Sequence, residues 1–286
     1  MSVKTVKDID LKNKRVLVRA DFNVPLDRGT ITDDTRIKAA LPTLRYILEQ
    51  EGASLVLMSH LGRPKGEKKP ELSLAPVGRR LAELLNVPVK TAPDCIGEET
   101  LSMAKNLGAG EVLLLENLRF HKEETDNDAD FAKSLAENGD VFVNDAFGTA
   151  HRAHASTEGV AHLLPSAAGF LIDKEVRFFE HVISNPEKPF VAIIGGAKVS
   201  TKIGVLETLL DKCTSLVIGG AMSYTFLKAQ GYKVGASKVE EEYIDTAKSL
   251  LEKAEKAGIA IILPEDHMCA DEFSESAQPK YVNTRD

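Results

Sequence analysis

The sequence predicts an α/β protein of two parallel sheets, each flanked by helices. Three observations predict it. Short β-branched runs of about 4–8 residues alternate with longer stretches of helical period. The runs show little in–out alternation, as strands buried on both faces do. The alternation breaks at a Pro-containing segment and resumes beyond it, in a chain of 286 residues, long enough for two domains.

In the first block, strands are expected at Arg15–Phe22, Ser54–His60, Pro88–Thr91, Glu111–Leu115 and Val141–Asn144. Helices are expected at Thr35–Gln50, Leu74–Asn86, Thr100–Lys105 and Asp128–Asn138. Asp33, Asp34 and Thr35 offer an N-cap for the first of them, and Gly52 follows its end. Strand–helix–strand order implies parallel pairing, because the helix carries the chain back to the same sheet edge. Ile172–Ser184 is expected to be a helix with Val176, Phe179, Val182 and Ile183 on one side. Asn185-Pro186-Glu187-Lys188-Pro189 then reads as a helix stop and linker. The second block carries strands at Phe190–Ile194, Ser215–Ile218 and Ile259–Leu263, and helices at Val199–Asp211, Ala221–Ala229 and Glu240–Ala257. The expected division is a first domain over 1–171, a helix and linker over 172–188 and a second domain over 189–286. Arg285 is the only arginine of the second block.

Composition excludes several classes. A hydrophobic fraction of 43% is too high for a disordered chain. A net charge of −7 argues against bulk binding to nucleic acid phosphates. Cys95, Cys213 and Cys269 are an odd, unpatterned set and not a secreted disulfide framework. The polar Met1–Lys14 has no signal-like apolar core, and no apolar run approaches the ~20 residues of a membrane helix. A cytoplasmic protein that binds neither nucleic acid nor membrane is expected.

In open α/β sheets, ligands bind beyond the carboxyl ends of the strands. Asp21 and Asn23 follow the first strand, His60, Leu61, Gly62 and Arg63 the second, Arg119 the run ending at Leu115, and Arg152 the run ending at Asn144. Arg36 opens the helix after the first loop. In an acidic chain this is a local reversal of sign. Several Arg and His in one concavity suit a small, multiply anionic ligand, because guanidinium grips carboxylate or phosphate bidentately. Any one of these arginines, taken alone, could equally be a solvated loop residue. Asp21 and Asn23 suit a substrate hydroxyl, or simply cap a turn. His151 and His154 are three apart, but no third ligand pattern accompanies them, so an anion rim is favoured over a metal pair.

In the second block, Gly195-Gly196-Ala197-Lys198 follows a strand and leads into the expected helix. Glycines and helix N-terminal amides admit phosphate. With a helix from Val199, Lys198 and Lys202 would share one face near its N-terminus, where an anion would relieve their repulsion from the dipole. Two solvated lysines are the plain alternative. Gly219-Gly220 follows the next strand in the same way, and suits either a nucleotide or close helix–strand packing. Neither GxxxxGK[ST] nor GxGxxG occurs, so this is neither a Walker A loop nor the usual dinucleotide fingerprint.

Six motifs, RADFNVP (19–25), HLGRP (60–64), ENLRF (116–120), NDAFGTAHRAH (144–154), GGAKVSTK (195–202) and GGAMSYTFLK (219–228), together resemble the phosphoglycerate kinase family, in family order and over nearly the whole chain. The resemblance implies two Rossmann-like three-layer α/β domains with parallel sheets, the second incomplete. It implies reversible phosphoryl transfer between 1,3-bisphosphoglycerate and ADP, giving 3-phosphoglycerate and ATP, by a monomer. It makes Asp21, Asn23, Arg36, His60, Leu61, Gly62, Arg63, Arg119 and Arg152 substrate contacts. Lys202, Gly195, Gly196, Gly219 and Gly220 become nucleotide contacts, and Arg36 and Lys198 catalytic groups. Mg2+ would arrive with ADP or ATP, with no metal ligand identifiable in this chain. The family continues past the position of Asp286 with a further glycine-rich loop, a metal-binding acid and a C-terminal segment. A truncated chain is therefore expected, and a phosphoglycerate-binding fragment without transfer activity is the alternative.

Overall fold

The computed structural model describes residues 3–184, 186–272 and 274–285. Asn185 of the expected linker and the last residue, Asp286, lie outside them. The chain divides into two compact units, residues 1–178 and 179–286.

The first unit runs β1 (Arg15–Arg19), β2 (Leu26–Asp27), β3 (Thr30–Ile31), α1 (Thr35–Leu48), β4 (Ser54–Met58), α2 (Ala75–Leu85), β5 (Val89–Thr91), α3 (Glu98–Lys105) and β6 (Val112–Leu114). It continues with α4 (Lys122–Asp126), α5 (Ala129–Ala136), β7 (Val141–Asn144), α6 (Phe147–Ala150), β8 (Ser166–Ala168) and α7 (Phe170–Ser184), whose last turns lie beyond residue 178. Six strands pair in parallel in the order β5-β6-β4-β1-β7-β8. The four central strands are apolar in their interiors because both faces are covered. Val16 and Val18 enter one core with Leu55, Leu57, Ile37 and Leu44. Leu17 points the other way, into a second core with Val56, Phe142, Phe131 and Leu135. Each such side chain stabilises the fold by roughly 1.5–3 kcal/mol on burial. The β2–β3 hairpin, β8 and the short helices α4 and α6 have too few residues to show a period.

β1 ends at Arg19, three residues before the sequence suggests. The backbone leaves the ladder there: the Phe22 N–H donates to the Ser59 hydroxyl at 2.9 Å. That departure turns Asp21 and Asn23 off the strand and into a loop.

The second unit runs β9 (Val191–Gly195), α8 (Ile203–Leu210), β10 (Ser215–Gly219), α9 (Met222–Ala229), α10 (Ile244–Ala257), β11 (Ala260–Ile262), β12 (Asp266–Cys269) and β13 (Lys280–Asn283). β11-β10-β9 form a parallel sheet, and β12 and β13 an antiparallel pair. Ala192, Leu216 and Ile218 pack under Leu206, Phe226 and Leu250 of the three helices. On the other face Val191 and Ile193 are 50% and 76% exposed. This sheet therefore alternates in burial, unlike the first.

The helix expected from Val199 begins instead at Ile203. The Glu240 carboxylate holds the preceding turn open, accepting from the Ser200 N–H at 3.0 Å and the Ser200 hydroxyl at 2.6 Å. Glu240 is itself drawn out of its expected helix, its N–H donating to the Thr225 hydroxyl at 3.1 Å, and α10 starts only at Ile244.

Candidate active site

The carboxyl ends of β1, β4, β6 and β7 face one edge of the first sheet, and the basic residues gather there. His60, just past β4, is buried. Nη2 of the fully buried Arg19 lies 3.1 Å from its Nδ1. Burial pushes the His60 pKa down to about 2, and the charges of Arg19, Arg119, Arg152 and Arg36 push the same way. Arg19 thus lies against a neutral imidazole, and Arg36, Arg119 and Arg152 are near enough for their charges to act on it.

The loops between them are held by a few polar side chains. The Asn117 amide accepts from the Leu61 and Arg119 N–H groups and donates to the carbonyls of Leu61 and Leu72. Asn23 accepts from the Gly62 N–H at 2.8 Å, and Arg119 Nη1 donates to the Gly62 carbonyl at 3.0 Å. Leu61 itself packs into the core, with both backbone groups bound by Asn117, so it supports the loop rather than lining the basin. Arg36 pairs with Asp21 at 2.6 Å. Arg152 Nε donates to His151 Nε2 at 3.2 Å. Beside them lies an open cleft of about 590 Å³, lined in part by Arg63, Lys65, Arg119, His121 and Arg152. Arg119 Nε is buried without a hydrogen-bond partner among the described residues. An unpaired guanidinium donor at the edge of a basic cleft suits an incoming anion.

Behind the basin is a buried network that sequence reasoning passed over. Arg19 Nε donates to the Ser156 hydroxyl at 2.9 Å, and that hydroxyl donates to Glu124 Oε1 at 2.6 Å. Ser156 N–H reaches Glu124 Oε2 at 2.9 Å. His154 Nδ1 stands 3.7 Å from the same carboxylate. Glu124 balances the charge of Arg19, which otherwise would be costly to bury. The signal was present in Arg19, the one charged residue in an otherwise apolar strand end. Its partners at 124 and 156 have no local pattern.

His151 is exposed and turned to Arg152, whereas His154 is buried toward Glu124, so the two do not form a ligand pair. Among the described residues, mixed donors within 4.8 Å of one another occur at Asp94, Cys95 and His121. There the Asp94 carboxylate accepts at 2.7 Å from His121 and holds its imidazole above the usual range. Burial keeps the Cys95 thiol protonated.

In the second unit, Gly195 and Gly219 are register partners at the ends of β9 and β10. Gly220 takes φ +68°, and a Cβ there would stand 2.8 Å from the Gly196 carbonyl oxygen. The Met222 N–H donates to that carbonyl at 2.9 Å. Two glycine turns therefore lie backbone against backbone. Lys198 is exposed in the loop, and Lys202 is the residue capping α8. They do not share a helix face, because the bonds of Ser200 to Glu240 interrupt the helix between them. Burial disfavours a charged Glu240, but its two bonds from Ser200 and the charge of Lys198 outweigh this and hold its pKa below the ordinary range.

No helix among the described residues is long and apolar enough to cross a membrane. The chain matches the family model described as phosphoglycerate kinase over residues 6–286. It is 58% identical over 286 residues to the phosphoglycerate kinase of Borrelia hermsii, covering all of this chain and 73% of that protein. It is 59% identical over 284 residues to that of Prosthecochloris aestuarii, covering 99% and 71%. Among solved structures, phosphoglycerate kinase from Coxiella burnetii superposes with a TM-score of 0.80 at 44% identity, over 99% of this chain and 71% of that one. The enzyme from Pyrococcus horikoshii gives 0.81 at 31% identity, over 98% and 71%. With the basic basin and the glycine-lysine turn on one chain, these matches show that the chain belongs to the phosphoglycerate kinase family.

Proposed function

We propose that the first unit binds 3-phosphoglycerate or 1,3-bisphosphoglycerate in its basin and the second binds ADP or ATP, with reversible phosphoryl transfer between them. The observation that carries this reading is the basic cleft at the strand ends, lined in part by Arg63, Arg119 and Arg152, with the buried Arg119 Nε unpaired among the described residues and a buried His60 beside Arg19. A ligand with two anionic ends suits such a field. Arg63, Arg119 and Arg152 would take its phosphate and carboxylate charges, and Asp21, Asn23 and His60 its neutral groups. Leu61 and Gly62 would act through the loop they form.

Phosphoryl transfer asks a protein mainly for in-line positioning and charge stabilisation. The leaving group of the acyl phosphate is already a carboxylate, so no strong general base is needed. Lys198, exposed in its loop, and Arg36 are suited to steady the transferring group. Lys202 and the turns Gly195-Gly196 and Gly219-Gly220 are suited to the nucleotide phosphates and sugar. Mg2+ would enter as part of the nucleotide substrate. The Asp94, Cys95 and His121 donors are a mixed N, O and S set, and do not fit an ion that demands octahedral oxygen. The family relationship favours a cytoplasmic monomer.

A coupled assay of ATP formation from 1,3-bisphosphoglycerate and ADP tests the reading. Turnover that Lys198→Ala lowers at least tenfold is expected, and turnover indifferent to that change would contradict the assignment.

A further inference from the structure

Asp94 and His121 follow the carboxyl ends of β5 and β6, and these strands are parallel neighbours, so the two loops meet. Each loop is fixed by bonds of its own. The Asp94 carbonyl accepts from the Thr100 hydroxyl at 3.1 Å and from the Glu116 N–H at 3.4 Å. The His121 N–H donates to the Leu118 carbonyl at 3.2 Å, and its ring lies against Phe131 with centroids 5.3 Å apart. Cys95 is fully buried, whereas Asp94 and His121 are both partly exposed.

One carboxylate collects three hydrogens here. Asp94 Oδ1 accepts from His121 Nε2 at 2.7 Å and from the Cys95 N–H at 2.6 Å. The Cys95 thiol also bonds to this carboxylate. The oxygen, the nitrogen and the sulfur all lie within 4.8 Å of one another. Two of the three hydrogens, on sulfur and on the imidazole nitrogen, can give way to a metal ion. A cation in their place would meet thiolate, imidazole and carboxylate at once.

We propose that Asp94, Cys95 and His121 are the three protein ligands of a site for a thiophilic divalent cation of the zinc class, distinct from the Mg2+ that would arrive with the nucleotide. Zn2+ takes sulfur, imidazole nitrogen and carboxylate oxygen at about 2.0–2.3 Å, so its ligand atoms stand about 3.3–3.8 Å apart. Side-chain shifts of about 1 Å bring these three atoms to that spacing. The fourth tetrahedral position is left to water. His121 also lines the open cleft beside Arg119, which gives an ion its way in. As the sulfur–metal bond forms, the thiol proton leaves to solvent and the imidazole keeps its proton on Nδ1. Thiolate and carboxylate together match the two positive charges of the ion, so filling the site buries no net charge. Lys68 opposes a cation here, while Glu123 and Glu124 favour one. A purely structural cluster would keep its hydrogen bonds and ignore the ion.

The test is titration of the metal-free chain with Co2+, which shares the tetrahedral preference of Zn2+ and reports a thiolate ligand by a sulfur-to-metal charge-transfer band. One Co2+ per chain should bind with that band, and Zn2+ should abolish it by displacement. Cys95→Ser should remove the band and weaken Zn2+ binding at least tenfold. Cys269→Ser should leave both as in the wild type, since that sulfur lies in the second unit and outside the cluster. Where Cys95→Ser does not fold, His121→Ala decides: Zn2+ binding at least tenfold weaker supports the site, and a smaller loss overturns it. A band that is absent in the wild type, survives in Cys95→Ser or is lost in Cys269→Ser would overturn it as well.

Discussion

Nη2 of Arg19 lies 3.1 Å from Nδ1 of His60, and both side chains are buried. Guanidinium has donors only, so this nitrogen of His60 must accept. The His60 proton therefore sits on Nε2, and the imidazole is a neutral donor amid positive charge.

That state is visible by NMR. With its pKa held near 2 by burial and four arginines, His60 should stay neutral from pH 8 to pH 5, as the Nε2–H tautomer. The folded value lies below the ordinary 6.5, so the stability it contributes is full above pH 6.5 and falls as pH drops toward 2. An imidazole that titrates near 6.5 would contradict the geometry.

Asp145 has the opposite sign. Burial raises its pKa from 3.8 to about 6, although Thr43 and the α7 amides pull it down. An acid with a raised folded value is a penalty above pH 6 that is relieved as pH falls toward 3.8. Chemical unfolding of the wild type and of Asp145→Asn at pH 7.5 and pH 4 should show the wild type gaining about 2–3 kcal/mol relative to the variant at the lower pH. A difference independent of pH would reject the shifted carboxyl.

Gly220→Ala should destabilise the second unit by about 1–3 kcal/mol. It places a side chain at φ +68° and drives a Cβ into the Gly196 backbone. The unfolding midpoint reports it. Affinity for ATP should fall as well, while affinity for 3-phosphoglycerate stays within twofold. Loss of both together would show that the glycine turns do not act locally.

Ser200→Ala removes a hydroxyl that holds the Lys198 loop to Glu240 at 2.6 Å. Removing one partner of a bond to a charged group costs about 1.5–3 kcal/mol. The loop should loosen, and the rate of phosphoryl transfer should drop about tenfold with 3-phosphoglycerate affinity unchanged. An unaltered rate would mean the loop is positioned by something else.

Much of this was legible in the sequence, and the exceptions have physical causes. The central strands of the first unit are apolar on both faces, so runs such as Ser54–Met58 stand out without an alignment. The basin was legible because parallel topology sends every strand end to one edge. Leu61 was misleading: its place in a motif says nothing about the direction of its side chain, which is inward. The break between Lys198 and Lys202 was hidden because it depends on Glu240, 40 residues away from Ser200. Likewise, Glu124 and Ser156 meet Arg19 only through the fold, and no short-range pattern marks them.

Calorimetric titration of 3-phosphoglycerate into wild type and Arg152→Ala, at low and high salt, tests the basin most directly. The account predicts saturable 1:1 binding that weakens with salt and falls at least tenfold in the variant. Binding of equal strength in both proteins would contradict it.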